Sequence, residues 1–206
     1  MAQIDSGIRR ILTRPFIYSS FRSMISRKKN IVEWVHNYIR PEINNRILDI
    51  GCGTADILNY LPLPVEYVGY DVDQAYTDAA RKKFGDRGTF ILGNVNGFEW
   101  SRKEYFDVVM AIGVLHHLGD EEALALFKMA YESLREKGSL LTADPVYFNQ
   151  QSRIARWIMS KDRGRNVRTE IGYRNLATAV FRNVNTHIRH DFLRIPYAHL
   201  LMECTR

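Results

Sequence analysis

The chain has 206 residues, a formal net charge of +6 and 46% hydrophobic residues, ordinary values for one folded domain with a sizeable core. No apolar run reaches the roughly eighteen residues that a membrane-spanning helix needs. The two cysteines, Cys52 and Cys204, give no disulfide framework and point to a reducing, cytoplasmic setting.

In chain order, residues 1–45 read as a basic helical arm or lid. The first part is broken near Pro15. It lacks an apolar signal core, and its Arg-rich, Ser-containing composition only weakly imitates a mitochondrial presequence; Pro15 and the spacing of Phe16, Tyr18 and Phe21 favour a folded segment. A helix over Ile31–Arg40, with Ile31, Val35 and Tyr38 on one face, ends before Pro41. The first strand is Arg46–Ile50. A helix is expected from near Ala55 to just before Pro62. The second strand is Glu66–Tyr70, and Asp73 caps a helix over Gln74–Phe84. The third strand is Thr89–Leu92. The fourth, Phe106–Ala111, is almost wholly apolar, as a strand buried on both faces should be. A helix from Asp120 to about Glu136, closed by Gly138, leads to a fifth strand, Ser139–Thr142. An Arg-, Asn- and Gln-rich excursion, Asp144–Glu170, precedes a helix over Gly172–Phe181. The runs Val184–His190 and Ala198–Cys204 complete the sheet as an antiparallel pair. Alternating strands and helices predict an α/β fold: a Rossmann-like, seven-stranded, mostly parallel sheet with helices on both faces and the last strand antiparallel. The expected division is a single domain, with an arm at 1–45, a cofactor-binding core at 46–144, and an acceptor-side excursion with the final strands at 145–206.

The most informative stretch is Ile47-Leu48-Asp49-Ile50-Gly51-Cys52-Gly53-Thr54-Ala55-Asp56. An apolar strand turns through two glycines, and Asp71 follows at the end of the next strand. This is the layout of a nucleoside-binding βαβ unit, with Asp71 placed to accept from ribose hydroxyls. A dinucleotide fingerprint would carry a third glycine where Asp56 stands. Asp49 and Asp56 at this turn repel a diphosphate and suit a ligand bearing a cation, such as S-adenosylmethionine.

Further segments follow in order: Gly69-Tyr70-Asp71, Gly93-Asn94-Val95, Phe106-Asp107-Val108-Val109, Val114-Leu115-His116-His117-Leu118 and Leu134-Arg135-Glu136-Lys137-Gly138. With them the chain resembles the class I S-adenosylmethionine-dependent methyltransferases, in the group with a Val-Leu-His-His segment after the fourth strand. The resemblance covers roughly residues 46–145. Ala55 replaces a third glycine that many members have, and Asn94 stands where an Asp often meets the adenine amino group. The resemblance implies S-adenosyl-L-methionine as cofactor and S-adenosyl-L-homocysteine as product. It implies that Asp49 and the Gly51–Gly53 backbone face the methionine end, Asp71 the ribose, Val72, Asn94 and Val95 the adenine, and the Ile112 carbonyl the ammonium. Tyr18 in the arm is similar in position to an aromatic residue that closes over the cofactor.

Candidate bases are His116, His117 and Asp144, all near carboxyl ends of central strands, where open α/β sheets place ligands. Of the two histidines, one is expected at the active site and one in a structural role, with His116 ahead. No His, Cys and carboxylate cluster at ligand spacing suggests a metal. Residues 47–144 hold 9 basic and 16 acidic residues, whereas the flanks hold 20 and 7. The resemblance implies that the basic flanks lie where acceptors enter. Arg153, Arg156, Arg163 and Arg168 are therefore candidates to hold an acidic acceptor, since guanidinium suits carboxylate and phosphate. The leading reading is a methyltransferase for a small anionic acceptor, with O-methylation favoured on a sugar, lipid-linked sugar or natural-product intermediate. The alternatives are an RNA methyltransferase, against which the absence of the exocyclic-amine motif after strand four speaks, and a non-catalytic basic adaptor that rests on a membrane surface. The basic flanks are also compatible with peripheral membrane contact by the enzyme.

Overall fold

A computed structural model describes residues 28–62, 64–93, 102–161 and 164–206. The expectations for Tyr18, Asn94, Val95 and Arg163 lie outside these residues.

Helix α1, Lys28–Trp34, continues as a π-helical turn over Val35–Ile39. Arg40 ends it in a left-handed conformation ahead of Pro41. Strand β1, Arg46–Ile50, is followed by a single 3-10 turn, Asp56–Asn59, instead of the helix expected there. Ala55 has φ 54°, and Pro62 closes the segment within two turns, too little chain to offset helix nucleation. Strand β2, Glu66–Asp71, leads to α2, Gln74–Phe84, whose Asp73 cap accepts from the Ala75 N–H at 2.8 Å. Strand β3 is Thr89–Leu92 and β4 is Phe106–Ile112. Helix α3, Asp120–Ser133, passes directly into β5, Leu134–Tyr147. Helix α3 stops three residues earlier than the sequence suggests, because Leu134 pairs with Phe106 of β4 and Arg135 reaches Asp107. The excursion holds α4, Arg153–Met159, and a two-residue strand β6, Arg168–Thr169, beside β5. Helix α5, Glu170–Thr178, then precedes β7, Asn183–Arg189, and β8, His199–Thr205.

The main sheet runs β3-β2-β1-β4-β5-β8-β7. Only β8 is reversed, lying antiparallel to both β5 and β7. Its alternating side chains feed two apolar layers. Leu48, Ile50, Val109 and Ala111 pack with Leu126 and Phe127 of α3 and Tyr173 and Ala177 of α5. Ile47, Val108, Met110 and Leu141 pack on the other face with Trp34 and Val35 near α1 and with Ala80 and Phe84 of α2. One buried carboxylate interrupts β4. Asp107 accepts from the Arg46 backbone N–H at 2.6 Å and from Arg135 Nε at 2.5 Å, tying the starts of β1, β4 and β5 together. The Rossmann-like expectation holds, and it places the carboxyl ends of β1, β2, β4 and β5 side by side.

Candidate active site

The turn after β1 is shaped by packing. Gly51 has φ +73°, and a Cβ there would lie 2.5 Å from Val114 Cγ2, so only glycine lets the segment after β4 close on the turn. The Gly51 and Cys52 N–H groups both donate to the Tyr70 carbonyl, at 2.7 and 2.9 Å, locking the turn to the end of β2. Gly53 has nothing within 4 Å on its Cβ side, which leaves an open approach to backbone.

Asp71 stands at the end of β2 with each oxygen already oriented. Oδ2 accepts from the Gly53 N–H at 2.8 Å and Oδ1 from the Asp73 N–H at 2.9 Å. A carboxylate has about four acceptor sites, so capacity remains for two hydroxyl donors. Burial raises the Asp71 carboxyl above its ordinary range, while the two N–H bonds pull the other way. The neighbouring Val72 is an exposed apolar residue at 41%, a surface that an adenine face would cover. These features fit a nucleoside.

Asp49 and Asp56 take different positions from those the charge argument assumed. Asp49 is 5% exposed and accepts from the buried Tyr67 hydroxyl at 2.6 Å. Asp56 pairs with Lys83 at 2.6 Å and accepts from Thr54 at 3.0 Å, so its charge is compensated within the protein. The charge argument against a diphosphate therefore rests on Asp49 alone, together with the missing third glycine of the dinucleotide fingerprint. Tyr67 escaped the sequence reading, which took it as part of an apolar run.

Cys52 lies inside the turn, and burial, followed by Asp49 and Asp71, pushes its thiol far above the usual range. Cys204 is pushed up to about 12, mainly by burial. Thiolate is the reactive form, so both thiols should resist a disulfide reagent at about pH 8 in the native protein and react once it is unfolded. Rapid native labelling at either cysteine would contradict this burial.

Ile112, the last residue of β4, is followed by Gly113, whose φ is +70°, and by a 3-10 turn over Leu115–His117. His116 is buried, and its Nδ1 lies 2.8 Å from Asp144 Oδ1 on β5. That oxygen also accepts the His116 backbone N–H at 3.2 Å. Two of the three candidate bases thus form a single dyad. With Nδ1 as the donor to Asp144, Nε2 is left as the acceptor nitrogen. Asp144 is 1% exposed, and among the described residues its Oδ2 has no hydrogen-bond partner. His117 is half-buried, its ring centroid 4.0 Å from that of His116.

The excursion returns over this dyad. The Asn166 N–H donates to the His116 carbonyl at 2.9 Å, and a Cβ on Gly164 would come within 2.1 Å of His116 Cδ2. The turn-like Gly164-Arg165-Asn166 segment is therefore a strap laid on His116. Arg168 anchors it from the inside. Its guanidinium donates to the carbonyls of Leu115 and Leu118 at 3.0 and 2.8 Å and to Asp120 at 2.7 Å. This gives Arg168 a positioning role in place of the acceptor contact expected for it. Tyr173, which the sequence did not single out, donates to the Pro145 carbonyl at 3.1 Å, and its hydroxyl is raised well above the usual range by burial and then by Asp144. Arg153 and Arg156 are exposed on α4, with Arg156 5.6 Å from the Tyr147 ring centroid at the end of β5. Among the described residues no group of three or more His, Cys, Asp or Glu is placed to hold a metal ion.

Comparisons with known proteins bear on the fold and the family. Residues 47–138 match the family model described as "Methyltransferase domain". A search of curated protein sequences gave no match. Solved structures with a similar fold include an S-adenosylmethionine-dependent methyltransferase from Methanosarcina mazei, with TM-score 0.65 and 15% identity, covering 84% of this chain and 96% of that one. Another is a geranyl diphosphate C-methyltransferase from Streptomyces coelicolor A3(2), in complex with Mg2+, geranyl diphosphate and S-adenosyl-L-homocysteine. It has TM-score 0.68 and 12% identity, over 87% of this chain and 80% of that one. A third is phosphoethanolamine N-methyltransferase 2 from Haemonchus contortus, in complex with phosphomonomethylethanolamine and S-adenosylhomocysteine. It has TM-score 0.68 and 14% identity, covering 86% of this chain but 53% of that one.

Proposed function

We propose that the chain, whose residues 47–138 match the methyltransferase-domain model, is an S-adenosylmethionine-dependent enzyme that methylates a hydroxyl of a small, anionic acceptor, such as a sugar, lipid-linked sugar or natural-product intermediate. The observation that carries this reading is the His116–Asp144 dyad, a paired imidazole and carboxylate at the carboxyl ends of β4 and β5. Hydroxyl acceptors need a proton removed during transfer, and an imidazole oriented by a carboxylate is suited to that task.

S-adenosylmethionine supplies a methyl group on a sulfonium, open to in-line displacement. The remaining work falls to the chain. Asp71 would hold the ribose and Val72 would cover the adenine, with the Gly51–Gly53 turn and the Ile112 carbonyl, backed by Asp49, left for the methionine end. His116 Nε2 would take the proton from the acceptor hydroxyl as its oxygen becomes the nucleophile. Asp144 stabilises the imidazolium that results. The strap over His116 keeps water away from the transfer.

The acceptor's charge is met by the basic excursion. Arg156, beside Tyr147 at the end of β5, is the leading contact, with Arg163 a second candidate from the sequence; Arg153 stands farther round α4. Phosphate-bearing molecules in the Streptomyces and Haemonchus complexes support an anionic acceptor. Arg156→Ala should raise KM for a soluble phosphate-bearing hydroxyl acceptor about tenfold, the loss of ~1.4 kcal/mol, with little change in cofactor affinity. A neutral acceptor turned over equally well by the wild type and this variant would sink the anionic reading.

A further inference from the structure

We propose that α4 is a membrane-surface anchor, whose outward face rests on a bilayer containing anionic lipid. The helix is set by its cap, Ser152 Oγ accepting from the Ala155 N–H at 3.1 Å. Ala155 and Met159, one turn apart, are buried against the body of the protein. At ~100° per residue, Trp157 lies opposite the midpoint of that buried pair, and Ile154 stands beside it. Trp157 is 63% exposed and Ile154 67%. Large apolar side chains so exposed on one helix face mark an interaction surface.

The charge around them specifies the partner. Among the described residues of this segment Arg153, Arg156, Lys161 and Arg165 are exposed cations, whereas Arg168 is turned inward onto Leu115, Leu118 and Asp120. The Lys161 ammonium sits 5.7 Å from the Trp157 ring centroid, and Arg153 and Arg165 are exposed. Indole with neighbouring ammonium and guanidinium groups matches the headgroup layer, where the ring is half-immersed and the cations meet lipid phosphates.

Other occupants are poorer matches. Residues 1–27 carry five basic residues and one acidic residue, so that segment would be repelled. A second copy would set Arg153 and Lys161 against their own kind. A nucleic acid would satisfy the cations but gain nothing from Ile154. With two apolar side chains on a seven-residue helix, and no helix among the described residues long and apolar enough to cross a bilayer, the attachment is peripheral and reversible. It stands apart from the acceptor assignment, although α4 follows β5, so docking brings the dyad end of the sheet toward the lipid surface.

The test is co-sedimentation of the full-length protein with vesicles of phosphatidylcholine alone or with about a third phosphatidylglycerol, at two salt concentrations. The expected result is binding at least about tenfold tighter to the anionic vesicles, weakened by salt, with a blue shift of Trp emission that Trp157→Phe removes. The double variant Ile154→Ser/Trp157→Ser should lose that binding at least about tenfold while keeping its Tm, its S-adenosylhomocysteine affinity and its turnover of a soluble acceptor. Equal binding to both vesicle types, or undiminished binding by the double variant, would overturn the proposal. So would a double variant that loses RNA binding when the wild type ignores vesicles, since the partner would then be nucleic acid. Because turnover is measured separately, failure of this anchor is distinct from failure of the acceptor reading.

Discussion

Asp71→Ala will weaken S-adenosylhomocysteine binding by about 100-fold or more, measured by titration calorimetry. The carboxylate is held by the Gly53 and Asp73 N–H groups so that its remaining lone pairs point to one place, and each charge-assisted bond to a ribose hydroxyl is worth ~1.5–3 kcal/mol. The variant also releases the Gly53 N–H, so its Tm must be recorded alongside. Asp71→Asn, which keeps one acceptor oxygen, should fall between the two.

Acidification should imitate the substitution. Burial raises this carboxyl, so in the free protein it takes up its proton at a higher pH than the ordinary ~3.9 of an aspartate. Hydroxyl donors favour the ionised form. Affinity is therefore full above the raised value and declines as pH falls through it, by up to about tenfold per pH unit. For stability the sign is opposite. The folded state binds this proton more readily than the unfolded chain, so Asp71 costs the free protein stability as pH rises through the raised value, and hydroxyl donors offset that cost. Unchanged affinity in Asp71→Ala would remove Asp71 from the cofactor site.

The second large effect is on turnover. His116→Ala should lower kcat by ~10²–10⁴-fold while leaving S-adenosylhomocysteine affinity within about twofold. A cavity at this buried site could lower stability, so His116→Asn is the sharper variant: its amide can still donate to Asp144 but cannot take a proton. Asp144→Asn should lose a comparable factor by upsetting the tautomer. The double variant should be little worse than either single one, because the pair acts as a unit. His117→Ala should retain most activity. Full turnover in both His116 variants would show that transfer proceeds by alignment alone or through another base.

By itself the sequence determined the parts whose cause is local. The strand ends, the Asp73 cap and the parallel arrangement of the strands follow from apolar runs, turn residues and the intervening helices, and these reappear in β1 to β4 and α2. The two-glycine turn and the placement of Asp71 were also legible, because a backbone turn and a strand end are encoded within a few residues.

Tertiary structure decided what depended on partners distant in the chain. Asp56 reads as a ligand-facing charge until Lys83, 27 residues on, is seen to neutralise it. Arg168 reads as an acceptor clamp until its guanidinium is found donating to Leu115, Leu118 and Asp120. His116 and Asp144 were separate candidates in the sequence, and only the pairing of β4 with β5 brings them to 2.8 Å. In each case an ionisable or marginal segment had several local solutions, and long-range packing selected one of them.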